Sequence, residues 1–212
     1  MTEVVTAVGA DSTEGGADAP AAAAAALRAR QKPVKTRYRE DPDSALTPST
    51  ATARVDQAGL TATVGTWAGD VVAGLHPAAG GDGTQACSGD ILLQALVACA
   101  GVTLSSVATA LGVELRSATV TANGTWDARG TLGVDREAPV GLTGIELLFA
   151  LDTDADEDKV TRLLELTERY CVVAQTLHDP PELSIRRAVV HRAHGVAVSD
   201  LRNSVATTLR RD

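Results

Sequence analysis

The order of patterned segments predicts an α+β fold with a mainly antiparallel sheet, and three observations carry that prediction. Residues 50–75, 113–126 and 142–151 alternate apolar with polar side chains, the period of strands that lay one face on a core. Residues 91–113 hold no charged side chain until Glu114 and repeat Ile91, Leu92, Ala95, Leu96, Cys99, Val102, Thr103, Val107 and Ala110 at steps of three and four, a helix. A second helical pattern, from about 155 to 177, sets Val160, Leu163, Leu164, Thr167, Cys171 and Ala174 along one face and Glu157, Arg162, Glu165, Glu168 and Arg169 on the rest. Strands and helices in that order, without a regular strand-helix-strand alternation, argue against a parallel sheet.

In chain order, residues 1–24 are low-complexity Ala, Gly, Asp and Glu and are expected to be disordered. Residues 25–49 read as an N-terminal arm, basic and then acidic. Residues 50–187 form the folded domain, and 188–212 a basic tail. Within the domain, Gly59, Gly65, Gly69 and Gly74 punctuate two short strands, and a Gly-rich loop follows over 76–90. Ser88 is the expected N-cap of the first helix, with Asp90 favourable to the dipole in its first turn and Gly112 as its stop. A helix polar on no face has to be covered all round, which makes it central and suggests a subunit interface. Asp152, Asp154 and Asp156 mark the start of the second helix, and residues 182–191, after Pro180 and Pro181, read as a last strand.

Aromatic residues are 2% of the chain although 44% is hydrophobic, so Val, Leu and Ala must build the core. The formal charge of −8 repels phosphate and argues against nucleic acid as a partner. No basic start followed by an apolar run suggests export, and the alanines of 20–26 are too few to cross a bilayer, so a cytoplasmic protein without membrane contact is expected. Three cysteines in that setting are expected to be reduced thiols. Cys99, Cys171 and Cys87, with His76, His178, His191 and His194, lack the short paired spacing of a zinc site, and neither metal nor cofactor is expected. Taken singly, Cys99 and Cys171 each fit an apolar stripe as ordinary small hydrophobes.

Together they resemble something more specific. Ser88, Gly89, Asp90, Ile91 and Leu92, leading nine residues after Asp90 to Cys99, are similar to the first helix of the OsmC/Ohr family, where a Pro-x-Glu-Leu-Leu start precedes a peroxidatic cysteine. Cys171, Val172, Val173, Ala174, Gln175, Thr176 and Leu177 resemble that family's second motif, commonly Cys-Pro-Val-Ser-x-Thr-Leu. Asp135, Arg136, Glu137, Ala138 and Pro139, followed by Gly144, Ile145, Glu146 and Leu147, resemble its strand entry between the two. The chain departs from the pattern at Val172 (usually Pro), Ser88 (often Pro) and Asp90 (usually Glu), and in Cys87, the arm and the tail.

The resemblance implies an intertwined homodimer with two central helices wrapped by sheets. It implies a thiol-dependent peroxidase in which Cys99 is peroxidatic and Cys171 resolving, with a Cys99–Cys171 disulfide returned by an external thiol, a lipoylated protein in some relatives. An apolar site raises a cysteine pKa, so a cation is expected beside Cys99. In the family an arginine held by an acid supplies it. Asp90 matches the acid by position, Arg37 and Arg39 are candidates for the arginine, and Arg54 and Arg136 are further ones. Leu96, Val102, Leu164 and Leu166 would favour an organic hydroperoxide over hydrogen peroxide. The rival readings on the same fold are a non-catalytic ligand-binding module and a redox sensor.

Overall fold

The computed structural model describes residues 19–187 and 207–209. Helix α1 spans Ala19–Glu40. It begins inside the segment expected to be disordered because Pro20 is tolerated in a first helical turn and six alanines follow it, the residue with the highest helix propensity. A turn of 3₁₀ helix at Pro42–Ala45 leads into strands β1 (Ala53–Asp56), β2 (Thr61–Thr66), β3 (Gly69–Gly74) and β4 (Ala86–Cys87). They lie in that order in one sheet, antiparallel from β1 to β3, with the short β4 parallel to β3.

Helix α2 runs over Ser88–Leu111 and ends where Gly112 turns left-handed at φ 69°, the stop that its sequence predicts. Its start differs by one residue: Cys87 is the N-cap and Ser88 the first helical residue. Strand β5 (Ser117–Thr125) and strand β6 (Thr143–Asp152) pair antiparallel along almost their whole lengths, with an irregularity between Asn123 and Thr125. The alternation in both puts Val120, Ala122, Ile145, Leu147, Phe149 and Leu151 on the more buried face. One turn of helix, α3 (Ala128–Thr131), lies in the connection.

Helix α4 occupies Glu157–Tyr170 and α5 Val172–His178, so the expected second helix is two helices broken at Cys171. Asp156 caps α4, accepting the Lys159 N–H at 2.9 Å. Asp152 and Asp154, expected beside it at the helix start, instead both pair with Arg116 at the head of β5. Those carboxylates raise the Arg116 pKa further, through hydrogen bonds first and charge second.

The core lies where α2 packs on β5 and α4. Leu104, Val107, Ala108, Val113 and Leu163 are buried together, with Val120, Phe149 and Leu164 against them. Each large side chain so removed from water contributes on the order of 2 kcal/mol. The buried stripe of α2 is Leu96, Ala100, Leu104, Val107 and Ala108. It is rotated from the stripe expected, since Ala95 and Ala110 are exposed and Val102 is 74% exposed. Where every face of a helix is apolar, periodicity cannot select the one that packs. The expectation that α2 is covered all round does not hold within a single chain: Leu92, Ala95, Ala98 and Val102 form an uncovered face. The described residues from Thr176 on fall in a second unit, in which β7 (Ile185–Arg187) pairs antiparallel with β8 (Thr207–Leu209). The rest of the expected last strand, 188–191, and most of the tail lie outside the described residues.

Candidate functional site

Cys99 sits midway along α2, part-buried, and Cys171 is 1% exposed at the junction of α4 and α5. Leu163, Thr167 and Cys171 succeed one another at four-residue steps and are the buried line of α4. Thr167 satisfies its buried hydroxyl by donating to the Leu163 carbonyl at 2.8 Å. The packing of α4 on α2 therefore delivers Cys171 to Cys99 across 72 positions of sequence. The two thiols are free, and the Cys171 thiol donates a hydrogen bond to the Cys99 sulfur.

The junction supplies further donors. The helical bonds of α4 end with Cys171 N–H on the Thr167 carbonyl (3.0 Å), and those of α5 begin with Gln175 N–H on the Cys171 carbonyl (2.9 Å). The N–H groups between these two lie at the start of a helix, where no carbonyl of that helix precedes them. Val172 and Val173 direct theirs at the Cys99 sulfur, while Val173 and Ala174 direct theirs at the Cys171 sulfur.

These contacts set the two thiols apart. Burial pushes the Cys99 thiol up, but the Val173 N–H, the Cys171 thiol, the Val172 N–H and the Thr103 hydroxyl together outweigh it, and the Cys99 pKa falls below that of an ordinary thiol. Burial likewise pushes Cys171 up. The hydrogen bond it donates and the charge on Cys99 add to that rise, so Cys171 holds its proton longer. The cation expected beside Cys99 is not needed for the direction of its shift, because hydrogen bonds to the sulfur perform the same stabilisation of the charged form.

The other candidates lie elsewhere. Asp90 is exposed in the first turn of α2, roughly 13 Å from Cys99 along the helix axis. Arg37 and Arg39 are exposed in the last turn of α1, and the Arg37 guanidinium lies 5.1 Å from the Tyr38 ring. Arg54 pairs with Asp70 at 3.0 Å, and Arg136 is exposed in the turn after α3. No arginine is among the groups acting on Cys99. Of the apolar residues expected to favour an organic substrate, Leu96 is buried and Leu164 and Leu166 pack against the core cluster, whereas Val102 is exposed. Cys87 lines a separate cavity of about 410 Å³ with Leu92, Trp126, Val140 and Leu142. His76 also lines it and meets the Trp126 ring edge-on, with centroids 5.4 Å apart. Sequence reasoning missed the N–H donors of Val172 and Val173; the signal for them was the departure from proline at 172.

The fold is similar to known structures. An OsmC-like protein from Mycoplasma pneumoniae superposes with a TM-score of 0.53 at 17% identity, over 63% of this chain and 89% of that one. A hypothetical protein from Aquifex aeolicus gives 0.50 at 15% identity, over 64% and 90%. An OsmC-like protein of unknown function from Vibrio cholerae gives 0.50 at 13%, over 62% and 94%. At these identities the likeness is one of fold. No curated protein matches the sequence. The family pattern described as OsmC-like protein matches residues 81–186, half of the 212-residue chain and a span that takes in both Cys99 and Cys171, and the chain belongs to that family.

Proposed function

We propose that the protein is a thiol-dependent peroxidase that reduces organic hydroperoxides, with Cys99 as the peroxidatic and Cys171 as the resolving residue. The observation that carries this reading is the contact of two free thiols whose pKa values are pushed apart, Cys99 down and Cys171 up. A thiolate is the nucleophile at such a site, and the shifts name which thiol loses its proton first.

In the proposed cycle the Cys99 thiolate attacks the terminal oxygen of the hydroperoxide. The O–O bond breaks, the departing alkoxide takes a proton and leaves as alcohol, and Cys99 becomes a sulfenic acid. The Cys171 sulfur, in contact already, attacks the Cys99 sulfur. The S–S bond forms, the S–O bond breaks, and water leaves with the Cys171 proton. Two electrons from an external dithiol then reopen the disulfide. Part-buried Leu164 and buried Leu96 are the apolar residues proposed to receive an organic substituent on the peroxide.

The uncovered apolar face of α2 supports a homodimer in which a second copy covers it. In such an assembly Arg37 or Arg39, held by Asp90, is the proposed partner of the peroxide. The setting proposed is the cytoplasm, where an external thiol is available. The test is to treat reduced protein with cumene hydroperoxide and map the cysteines by mass spectrometry. A Cys99–Cys171 disulfide formed with loss of one equivalent of peroxide supports the cycle; unchanged thiols overturn it. The cavity at Cys87 favours a second reading, a ligand-binding module on the same fold, which predicts no peroxide consumption with any dithiol and a copurified apolar ligand.

A further inference from the structure

The break at Cys171 has a donor and an acceptor that a continuous helix would have joined. In such a helix the Val172 N–H would donate to the Glu168 carbonyl, four residues before it. Here the Gln175 side-chain amide occupies that carbonyl, donating from Nε2 at 3.0 Å. The Val172 N–H acts instead among the donors that lower the Cys99 pKa. Cys171 has φ −75° and ψ 105°, the extended conformation that a residue before proline adopts, and Val172 is the first residue of α5, where proline is favoured. The backbone at 172 is thus shaped to accept proline, the residue of the motif that the chain resembles. What valine adds there is one N–H.

We propose that Gln175 is a positioning residue that holds the α4–α5 break open, and that the Val172 N–H so released is a sulfur-directed donor that steadies the Cys99 thiolate. The proposal deepens the peroxidase reading and rests on it for its use in catalysis. The contacts themselves do not depend on peroxide. From α2 the Thr103 hydroxyl, and from the junction the Cys171 thiol and the Val172 and Val173 N–H groups, act on Cys99; Cys171 is the one titratable group of these. Removing one of several donors should weaken the thiolate without abolishing it.

The experiment measures the rate of iodoacetamide addition to Cys99 against pH in the full chain carrying Cys87→Ser, with peptide mass spectrometry to separate Cys99 from Cys171. Val172→Pro should move the Cys99 inflection to higher pH and slow alkylation at pH 7 roughly three- to tenfold. Val172→Ala keeps the N–H and should leave the inflection in place. Gln175→Leu, which removes the amide and lets Glu168 reclaim the Val172 N–H, should shift it in the same direction as Val172→Pro. An inflection unmoved in Gln175→Leu, or equally moved in Val172→Ala, overturns the proposal, and Gln175→Leu decides it if the proline variant does not fold. Because the readout uses no peroxide, a shifted inflection in a protein that consumes no hydroperoxide would sink the peroxidase reading and leave this one standing.

Discussion

Cys87 and Cys171 each stand immediately before a helix, and the contrast between them shows what makes a thiol chemically distinct in this molecule. Cys87 precedes the longest helix in the described chain, yet its side chain makes no capping bond. Cys171 precedes a helix of seven residues, but its sulfur receives the Val173 and Ala174 N–H groups and touches Cys99. Position at a helix start is common to both. The convergence of a second helix carrying another thiol is found only at Cys171. Chemistry at this site is a product of tertiary packing, with α4 laid on α2 through Leu163 and Leu104.

The contrast is broken or sharpened by substitution. The largest effect is expected from Cys99→Ser, which should lower hydroperoxide turnover by on the order of a thousandfold or more in a coupled dithiol assay. Cys171→Ser should cost on the order of a hundredfold in steady turnover while leaving a Cys99 sulfenic acid that dimedone labels. If Cys87→Ser has the same consequence, the resolving role belongs to Cys87 and the comparison fails. Leu163→Ala removes a fully buried side chain from the core between α4 and α2 and should destabilise the fold by about 2–5 kcal/mol in chemical denaturation.

A smaller and more diagnostic effect lies in the pH profile. Cys99 is shifted down, so its alkylation rate should climb and level at a pH below that of an ordinary thiol. Cys171 is shifted up, so it should react only at higher pH. Alkylation of Cys171 before Cys99 on raising the pH would reverse the assignment of roles. The smallest effect is expected from Cys87→Ser, with turnover within about twofold of the parent chain, since Cys87 lines a cavity that neither Cys99 nor Cys171 lines.

Much of this was legible in the sequence. Alternation in β5 and β6, the long apolar pattern of α2 and its Gly112 stop all follow from periods of two and 3.6 residues. The amphipathic face of α4 was legible for the same reason, its charges marking the solvent side. Three features were not. The packed stripe of α2 could not be chosen, because Val102 and Val107 look alike to any hydrophobic scale although one is exposed and the other buried. The break at Cys171 could not be seen, because Cys, Val, Val and Ala are all compatible with a continuing helix. The diversion of Asp152 and Asp154 to Arg116 depends on a strand start 36 and 38 positions away, which no local pattern reports.

The N–H donors at the α4–α5 junction also bear on how the chain can drift over generations. A group that belongs to the main chain is encoded by nineteen of the twenty amino acids, so exchange of the side chain at 172 or 173 leaves the donor in place. The side-chain contacts beneath it have no such latitude, since Leu163 and Thr167 act through shape and hydroxyl. Variation should therefore be free at the solvent-facing side chains of this corner and confined in the layer below. A proline codon is the one substitution that would remove such a donor outright.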